Sequence, residues 1–225
     1  MNIFEVIEPG FFTTIQDLGR YENESEGVPN SGAMDEYSFR IANLLLNNDE
    51  NCPALEITLI GPKLLVLNDV VVALTGADMQ PVVNGIKRSN WCSMPLLKGD
   101  LLSFLPMKSG LRSYLAIPGG FKSNIAFGSS STYTRGGIGG INGRRLVPGD
   151  ILEMASDSLY DTEIIPKKMS KNFIPTHINM QEIKVILGPQ DDYFPPETIK
   201  TFLQSSFKIT NNIDRMGYRL DGFSP

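Results

Sequence analysis

The chain has few of the residues that build metal centres and covalent frameworks: 2 cysteines and 1 histidine in 225 residues. Paired cysteines or a His-x-x-x-His helix cannot be assembled from that stock, which leaves only carboxylate-rich metal sites open. Two cysteines, Cys52 and Cys92, exclude a disulfide framework of the secreted kind, although one bridge between them stays open at this level. Positive charge is not in excess either. Lysine and arginine total 20 against 25 acidic residues, a net charge of -5 and a pI near 5.0, so no basic domain exists to hold nucleic acid. No window reaches the roughly 20 apolar residues of a membrane span. The N-terminus also lacks a basic region followed by an apolar run, so the reading is a cytoplasmic protein with no membrane partner.

What is present points to a globular, strand-rich protein. Hydrophobic residues make up 41% and charged residues 20%, enough apolar side chain to bury a core. Short apolar runs rich in β-branched residues lie at 54–60, 63–68 and 70–75, broken by Gly61-Pro62 and Asn68-Asp69, and are too short for independent helices. Further strands are expected at 100–105, 111–117, 150–154 and 183–187, two of them entered through Gly99-Asp100 and Gly149-Asp150 turns. The fold class read from this pattern is mainly β, a barrel or sandwich with few short helices. One helix is expected over 35–46 and another from Pro195-Pro196 onward. The domain reading is 1–165 for an N-terminal β-rich domain, 166–181 for a linker and 182–225 for the start of a second β domain.

Three segments concentrate chemistry. In the first, Thr13, Thr14, Gln16, Asp17 and Arg20 place hydroxyls, an amide, a carboxylate and a guanidinium beside Gly10 and Gly19, a set able to orient an oxyanion or a carbonyl. A turn in which Asp17 binds backbone amides explains the same residues. Ser31, in the loop leading to the first helix, is read either as a cap or as part of an anion site. In the second segment, 119–149, nine glycines are interleaved with Ser129, Ser130, Ser131, Thr132, Arg135, Arg144 and Arg145, so backbone must come close to something. Neither a Walker loop nor a dinucleotide fingerprint is present there, and a tightly wound loop between strands is the plainer account. The third, 212–222, carries Asp214, Arg215 and Arg219, which can form a site wall, although a structural ion pair is the commoner role for such residues. His177 is more readily an exposed residue than a base, and no Gly-x-Ser-x-Gly elbow supports triad hydrolysis.

In order along the chain, the blocks Pro9-Gly10 with Thr13 to Arg20, Gly27 to Asp35, Leu55 to Pro62, Leu74 to Asp78, Tyr114 to Gly120, Gly128 to Thr132 and Asp214 to Leu220 resemble the allophanate hydrolase subunit 2 family, also called the biotin-dependent carboxyltransferase-like family. The resemblance implies a cyclophilin-like β-barrel. It also implies the role of the C component in an ATP-dependent 5-oxoprolinase, which with two partner subunits opens 5-oxoproline to L-glutamate through an activated lactam. ATP is the cofactor so implied, with Mg in the complex, and biotin is not expected to be attached to this chain. Other members imply a urea carboxylase carboxyltransferase-like component, or a noncatalytic scaffold or regulator that antagonises a kinase inhibitor.

On this reading Asp17, Arg20 and Gln16 are the expected catalytic residues, no metal ligands are assigned, and Thr14, Ser129, Ser130, Ser131, Arg135, Asp214, Arg215 and Arg219 are expected to bind substrate or nucleotide. Chains of the family continue past the last block, so the second domain is expected to be incomplete.

Overall fold

Alternation along the early strands has a direct structural outcome. In Ala54-Leu55-Glu56-Ile57-Thr58, Leu55 and Ile57 face one side, while Ala54 and Glu56 face the other. A computed structural model describes residues 1–155, 165–176, 182–213, 215 and 217–222. The chain divides into two compact units, Met1–His177 and Ile178–Pro225.

The first unit runs β1 (Asn2–Glu8), β2 (Phe12–Gln16), α1 (Glu36–Leu44), β3 (Ala54–Thr58), β4 (Lys63–Val66), β5 (Val70–Asp78), β6 (Pro81–Val83), β7 (Ile86–Lys87), β8 (Cys92–Leu96), β9 (Leu101–Phe104), β10 (Ser109–Ala116) and β11 (Ile151–Glu153). All strand pairs are antiparallel, in a six-stranded sheet ordered β11-β1-β4-β9-β6-β7 and a five-stranded sheet ordered β2-β3-β10-β5-β8. Inward residues of both sheets, among them Phe4, Val6, Ile15, Leu55, Ile57, Leu64, Val72, Leu74 and Leu115, join in one apolar cluster. Each such side chain stabilises the fold by roughly 1.5–3 kcal/mol when fully buried.

The mainly β expectation is met, with a difference in closure. The described strands form two sheets with no closed barrel among them, and loops cover both edges of the five-stranded sheet. Thr132 and Leu146 donate backbone bonds to Ile15 and Thr13 on the β2 edge. At the β8 edge Ser93 donates to Lys167, and Met169 donates to Trp91. Covered edges remove the unpaired ladder groups that barrel closure would otherwise have to satisfy. Those edge contacts draw on residues 167–169, which lie inside the stretch expected as a linker.

Helix α1 lies on the outer face of the five-stranded sheet. Phe39, Ala42, Leu45 and Leu46 pack there on Ala54, Ala73, Tyr114 and Ala116, whose three alanines leave room for the helix. Phe39 meets Tyr114 edge to face at 5.9 Å. The helix is capped by Asp35, whose carboxylate accepts from the Ser38 amide at 3.0 Å and the Ser38 hydroxyl at 2.5 Å. Ser31 is therefore not the cap.

The second unit contains α2 (Pro196–Gln204), started by proline as expected, and a hairpin of β12 (Lys208–Ile213) and β13 (Tyr218–Asp221). The expected strand at 183–187 does not form. A strand exists only where a neighbour takes its ladder bonds, and among the described residues none pairs with it, leaving Ile183, Val185, Ile186 and Leu187 exposed. Among the described residues no helix is long and apolar enough to cross a membrane, and no group of three or more His, Cys, Asp or Glu could hold a metal ion.

Candidate functional site

Two polar clusters lie in the first unit. The first forms where β2 ends. Gln16 and Asp17 leave the strand against the glycine-rich segment, and Asp17 is only 4% exposed. Its carboxylate accepts from the Gly19 amide at 2.8 Å, the Ser129 hydroxyl at 2.7 Å, the Ser130 amide at 2.6 Å and the Ser131 hydroxyl at 2.5 Å. The Asp17 amide in turn donates to Ser131 Oγ at 3.0 Å. Gln16 Nε2 donates to Thr14 Oγ1 at 2.9 Å and to the Thr132 carbonyl at 3.2 Å. Arg20 donates to the carbonyls of Ala126 and Ser131 and to Ser31 Oγ. Burial lowers the Arg20 guanidinium below its ordinary pKa, against the opposing pull of Asp17.

Several glycines of this segment are required by the chain's own packing. A side chain at Gly139, whose φ is +72°, would run into the Ser131 carbonyl and approach Arg20 Nη2. The backbone that had to come close to something comes close to its own serine run. The donors that would cradle a phosphate at Ser129 to Ser131 already hold the carboxylate of Asp17. These residues therefore do not fit a nucleotide phosphate.

The second cluster is a row across the outer face of the five-stranded sheet. Register places Thr14 opposite Glu56, Glu56 opposite Tyr114, and Tyr114 opposite Thr75, all beneath the start of α1. Glu56 is 0% exposed, and its Oε2 accepts from the Tyr114 hydroxyl and the Met34 amide, both at 2.9 Å. The same hydroxyl accepts from the Asp35 amide at 2.8 Å, so Glu56 and Tyr114 together fix the turn that starts the helix. Burial pushes the Tyr114 phenol well above its ordinary pKa, which keeps it a donor to Glu56.

Arg112 lies two residues before Tyr114 on β10, on the same face. Its Nε stands 3.6 Å from Glu56 Oε1, an ion-pair contact too long for a hydrogen bond, and among the described residues Nε is buried without a hydrogen-bond partner. The side chain is 13% exposed and lines a cleft of about 270 Å³ together with Met34, Asp35, Gly110 and Leu111. Gly76 on β5 makes this approach possible. Its φ is +82°, and a Cβ there would lie 2.5 Å from the Arg112 carbonyl.

The structure thus gathers Thr14, Gln16, Asp17, Arg20, Ser129, Ser130 and Ser131 into one buried network. Arg135 lies exposed on the turn between Tyr133 and Ile138. Arg215 is half-buried in the second unit, where burial lowers its pKa to about 10, and Arg219 is exposed on β13. Asp214 and His177 lie outside the described residues. Both cysteines are free thiols, half-buried, and burial raises their pKa values, which makes them poor nucleophiles.

Sequence reasoning did not single out Glu56, Arg112 and Tyr114. The usable signal was a carboxylate placed between Leu55 and Ile57 in a strand whose other outward neighbour is Ala54. An outward face bearing alanine is one a helix can cover, and a charge under a helix needs partners.

The family described as carboxyltransferase domain, subdomain A and B, matches residues 26–225. Urea amidolyase of Saccharomyces cerevisiae is 38% identical over 227 residues, 98% of this chain and 12% of that protein. The C component of 5-oxoprolinase from Escherichia coli is 33% identical over 220 residues, 98% of this chain and 69% of that protein. The crystal structure of the K. lactis urea amidolyase superposes with a TM-score of 0.88 at 37% identity, covering 98% of this chain and 14% of that one. The chain therefore spans only a small part of the urea amidolyases it matches and about two thirds of the 5-oxoprolinase component.

Proposed function

The chain belongs to the carboxyltransferase domain family, subdomain A and B, and from that premise we propose that it is a subunit of an ATP-dependent 5-oxoprolinase. In this reading it works with two partner subunits to open 5-oxoproline to L-glutamate. The C component of 5-oxoprolinase, similar over 98% of this chain and covered to 69% of its own length, supports this reading, while the urea amidolyases are similar over the same share of this chain but are covered to only 12%. The observation that carries the reading is the Arg112 cleft, lined also by Met34, Asp35, Gly110 and Leu111, where Arg112 stands 3.6 Å from Glu56 and its Nε has no hydrogen-bond partner among the described residues. A guanidinium at the edge of a small cleft can donate to the carbonyl oxygen of an amide, which is the oxygen an enzyme that opens a lactam must polarise.

In this chain Arg112 would polarise the lactam carbonyl as charge builds on its oxygen, and the Glu56–Tyr114 pair would hold Arg112 and the Met34–Asp35 turn in place. ATP supplies the activation of the lactam when bound. Because the Ser129 to Ser131 donors already hold Asp17, we assign the nucleotide and its Mg to a partner subunit.

The test is copurification with the two partner subunits, followed by 5-oxoproline-dependent ATP hydrolysis with this chain present and absent. Hydrolysis that needs the chain is the expected result, and hydrolysis indifferent to it removes the assignment. Dependence on urea in place of 5-oxoproline would move the chain to the urea carboxylase branch, to which the 38% identical relative belongs.

A further inference from the structure

We propose that the turn from Ile125 to Gly128 is a docking knob, which seats Ile125 and Phe127 in an apolar pocket of a partner subunit whose rim carries lysine or arginine. The proposal rests on the functional reading above for its partners and adds the surface that meets them. The knob is a two-residue hairpin turn. Ala126 and Ser129 exchange both backbone bonds, at 2.9 and 3.2 Å, while Phe127 and Gly128 take φ values of +52° and +73°. Two left-handed residues in succession suit Asn-Gly. The chain uses that pair in two other such turns, at Asn84-Gly85 with φ of +50° and +81° and at Asn142-Gly143 with +52° and +63°. At 127 it places phenylalanine, a bulky residue for which this backbone region is costly.

The fold takes little packing in return. Phe127 is 49% exposed, Ile125 is 73% exposed, and among the described residues Phe127 pairs with no other ring. Both ends of the turn are nevertheless held by the Asp17 network. Arg20 Nε donates to the Ala126 carbonyl at 3.2 Å, and the Ser129 hydroxyl and Ser130 amide donate to the Asp17 carboxylate. A fixed mount that carries backbone strain and leaves two large apolar side chains in water has the form of an interface anchor, because a side chain ordered beforehand loses little entropy on binding. On this account the saturated network is the mount. Charge selects the partner. The loop after Arg20 carries Glu22, Glu24 and Glu26, all exposed and none in an ion pair among the described residues, against Arg135 on the hairpin that follows the turn. A basic rim complements that loop, and an anionic lipid surface does not.

The test is binding of each purified partner subunit of the proposed 5-oxoprolinase to the immobilised full chain, beside the urea unfolding midpoint of each variant. Phe127→Asn installs the residue that the other two turns carry, so the midpoint should hold or rise while affinity for one subunit falls about tenfold or more. Ile125→Ser should weaken the same binding with the midpoint unchanged. Joint substitution of Glu22→Gln, Glu24→Gln and Glu26→Gln should weaken binding at low salt and flatten its salt dependence. Binding unchanged in both apolar variants, or no binding of either subunit by the wild-type chain, overturns the knob. A midpoint that falls in Phe127→Asn makes Phe127 a packing residue and does the same. So does association through the turn with a second copy of the chain or with phosphatidylcholine vesicles, which would give the knob another occupant. Subunits held through the knob in a complex whose ATP hydrolysis ignores 5-oxoproline would end the 5-oxoprolinase reading and leave the knob standing. Unchanged binding in both apolar variants of a complex that turns over 5-oxoproline would do the reverse.

Discussion

The Asp17 network and the Arg112 cleft are built from the same materials, a buried carboxylate, an arginine and hydroxyls, and they end in opposite states. Asp17 accepts four hydrogen bonds and Arg20 donates to three partners. Arg112 donates to none of the described residues and reaches its carboxylate only at 3.6 Å. A saturated cluster ties segments of chain together. An unsaturated one beside open space is where a ligand can still make bonds. Density of polar residues in the sequence therefore marks where the chain binds itself at least as well as where it binds something else.

This contrast breaks down if removing the two clusters has the same consequence. The largest effect is expected at Asp17→Ala, which strands the Ser129 and Ser131 hydroxyls and two backbone amides and leaves Arg20 uncompensated. A loss of about 3–5 kcal/mol in urea unfolding is expected, comparable to breaking a buried ion pair. A loss below about 1 kcal/mol would show that the network does not act as a clasp.

Tyr114→Phe should come next. It leaves Glu56 Oε2 without one of its two described donors and the Asp35 amide without its acceptor, for about 1–3 kcal/mol. Unchanged stability would mean that water replaces the hydroxyl.

Arg112→Gln takes away the cation 3.6 Å from the fully buried Glu56 but breaks no described hydrogen bond and leaves an amide able to donate, so it should cost about 1–2 kcal/mol in the same unfolding measurement, well below Asp17→Ala. A large stability loss there would turn the cleft into a second clasp.

The smallest effect sharpens the comparison through pH. The Tyr114 phenol is raised above its unfolded value of about 10, so its contribution is fully present below that pH and is lost as pH rises toward the folded value. Ultraviolet titration should show one of the 7 tyrosines ionising after the rest, and Tyr114→Phe should abolish that late step. A late step that survives the substitution would assign it to another tyrosine.

Much of the architecture was legible. The strands at 54–60, 63–68, 70–75, 100–105, 111–117 and 150–154 appear with ends shifted by a few residues, most of them trimmed while β5 runs on to Asp78 and β10 starts at Ser109, because alternation and turn residues are local properties. The helix at 35–46 appears as Glu36–Leu44, its start set by the Asp35 cap. The failure at 183–187 is instructive for the same reason. An apolar run has the propensity for a strand, but pairing is supplied by another segment, and no described residue supplies it.

The site divides along the same line. Asp17, Arg20 and Ser129 to Ser131 could be singled out because each group is dense within a few residues, and the structure does bring the two groups together across 112 residues of chain. Their saturation was not legible, since it depends on which donor meets which acceptor in space. Glu56, Arg112 and Tyr114 each sit singly in an ordinary strand, and nothing local distinguishes them.

What the sequence alone determined is the alphabet of elements: short strands, two helices, a chain too poor in histidine and cysteine for the familiar zinc patterns, and a serine run facing an aspartate. What only the tertiary structure decided is which polar groups were left with capacity to bind. Strand register aligned Thr14, Glu56, Tyr114 and Thr75, α1 sealed the row, and Gly76 let β5 pass close to Arg112. Hydrogen-bond satisfaction is a property of pairs at about 3 Å, and pairs distant in sequence exist only once the chain has folded.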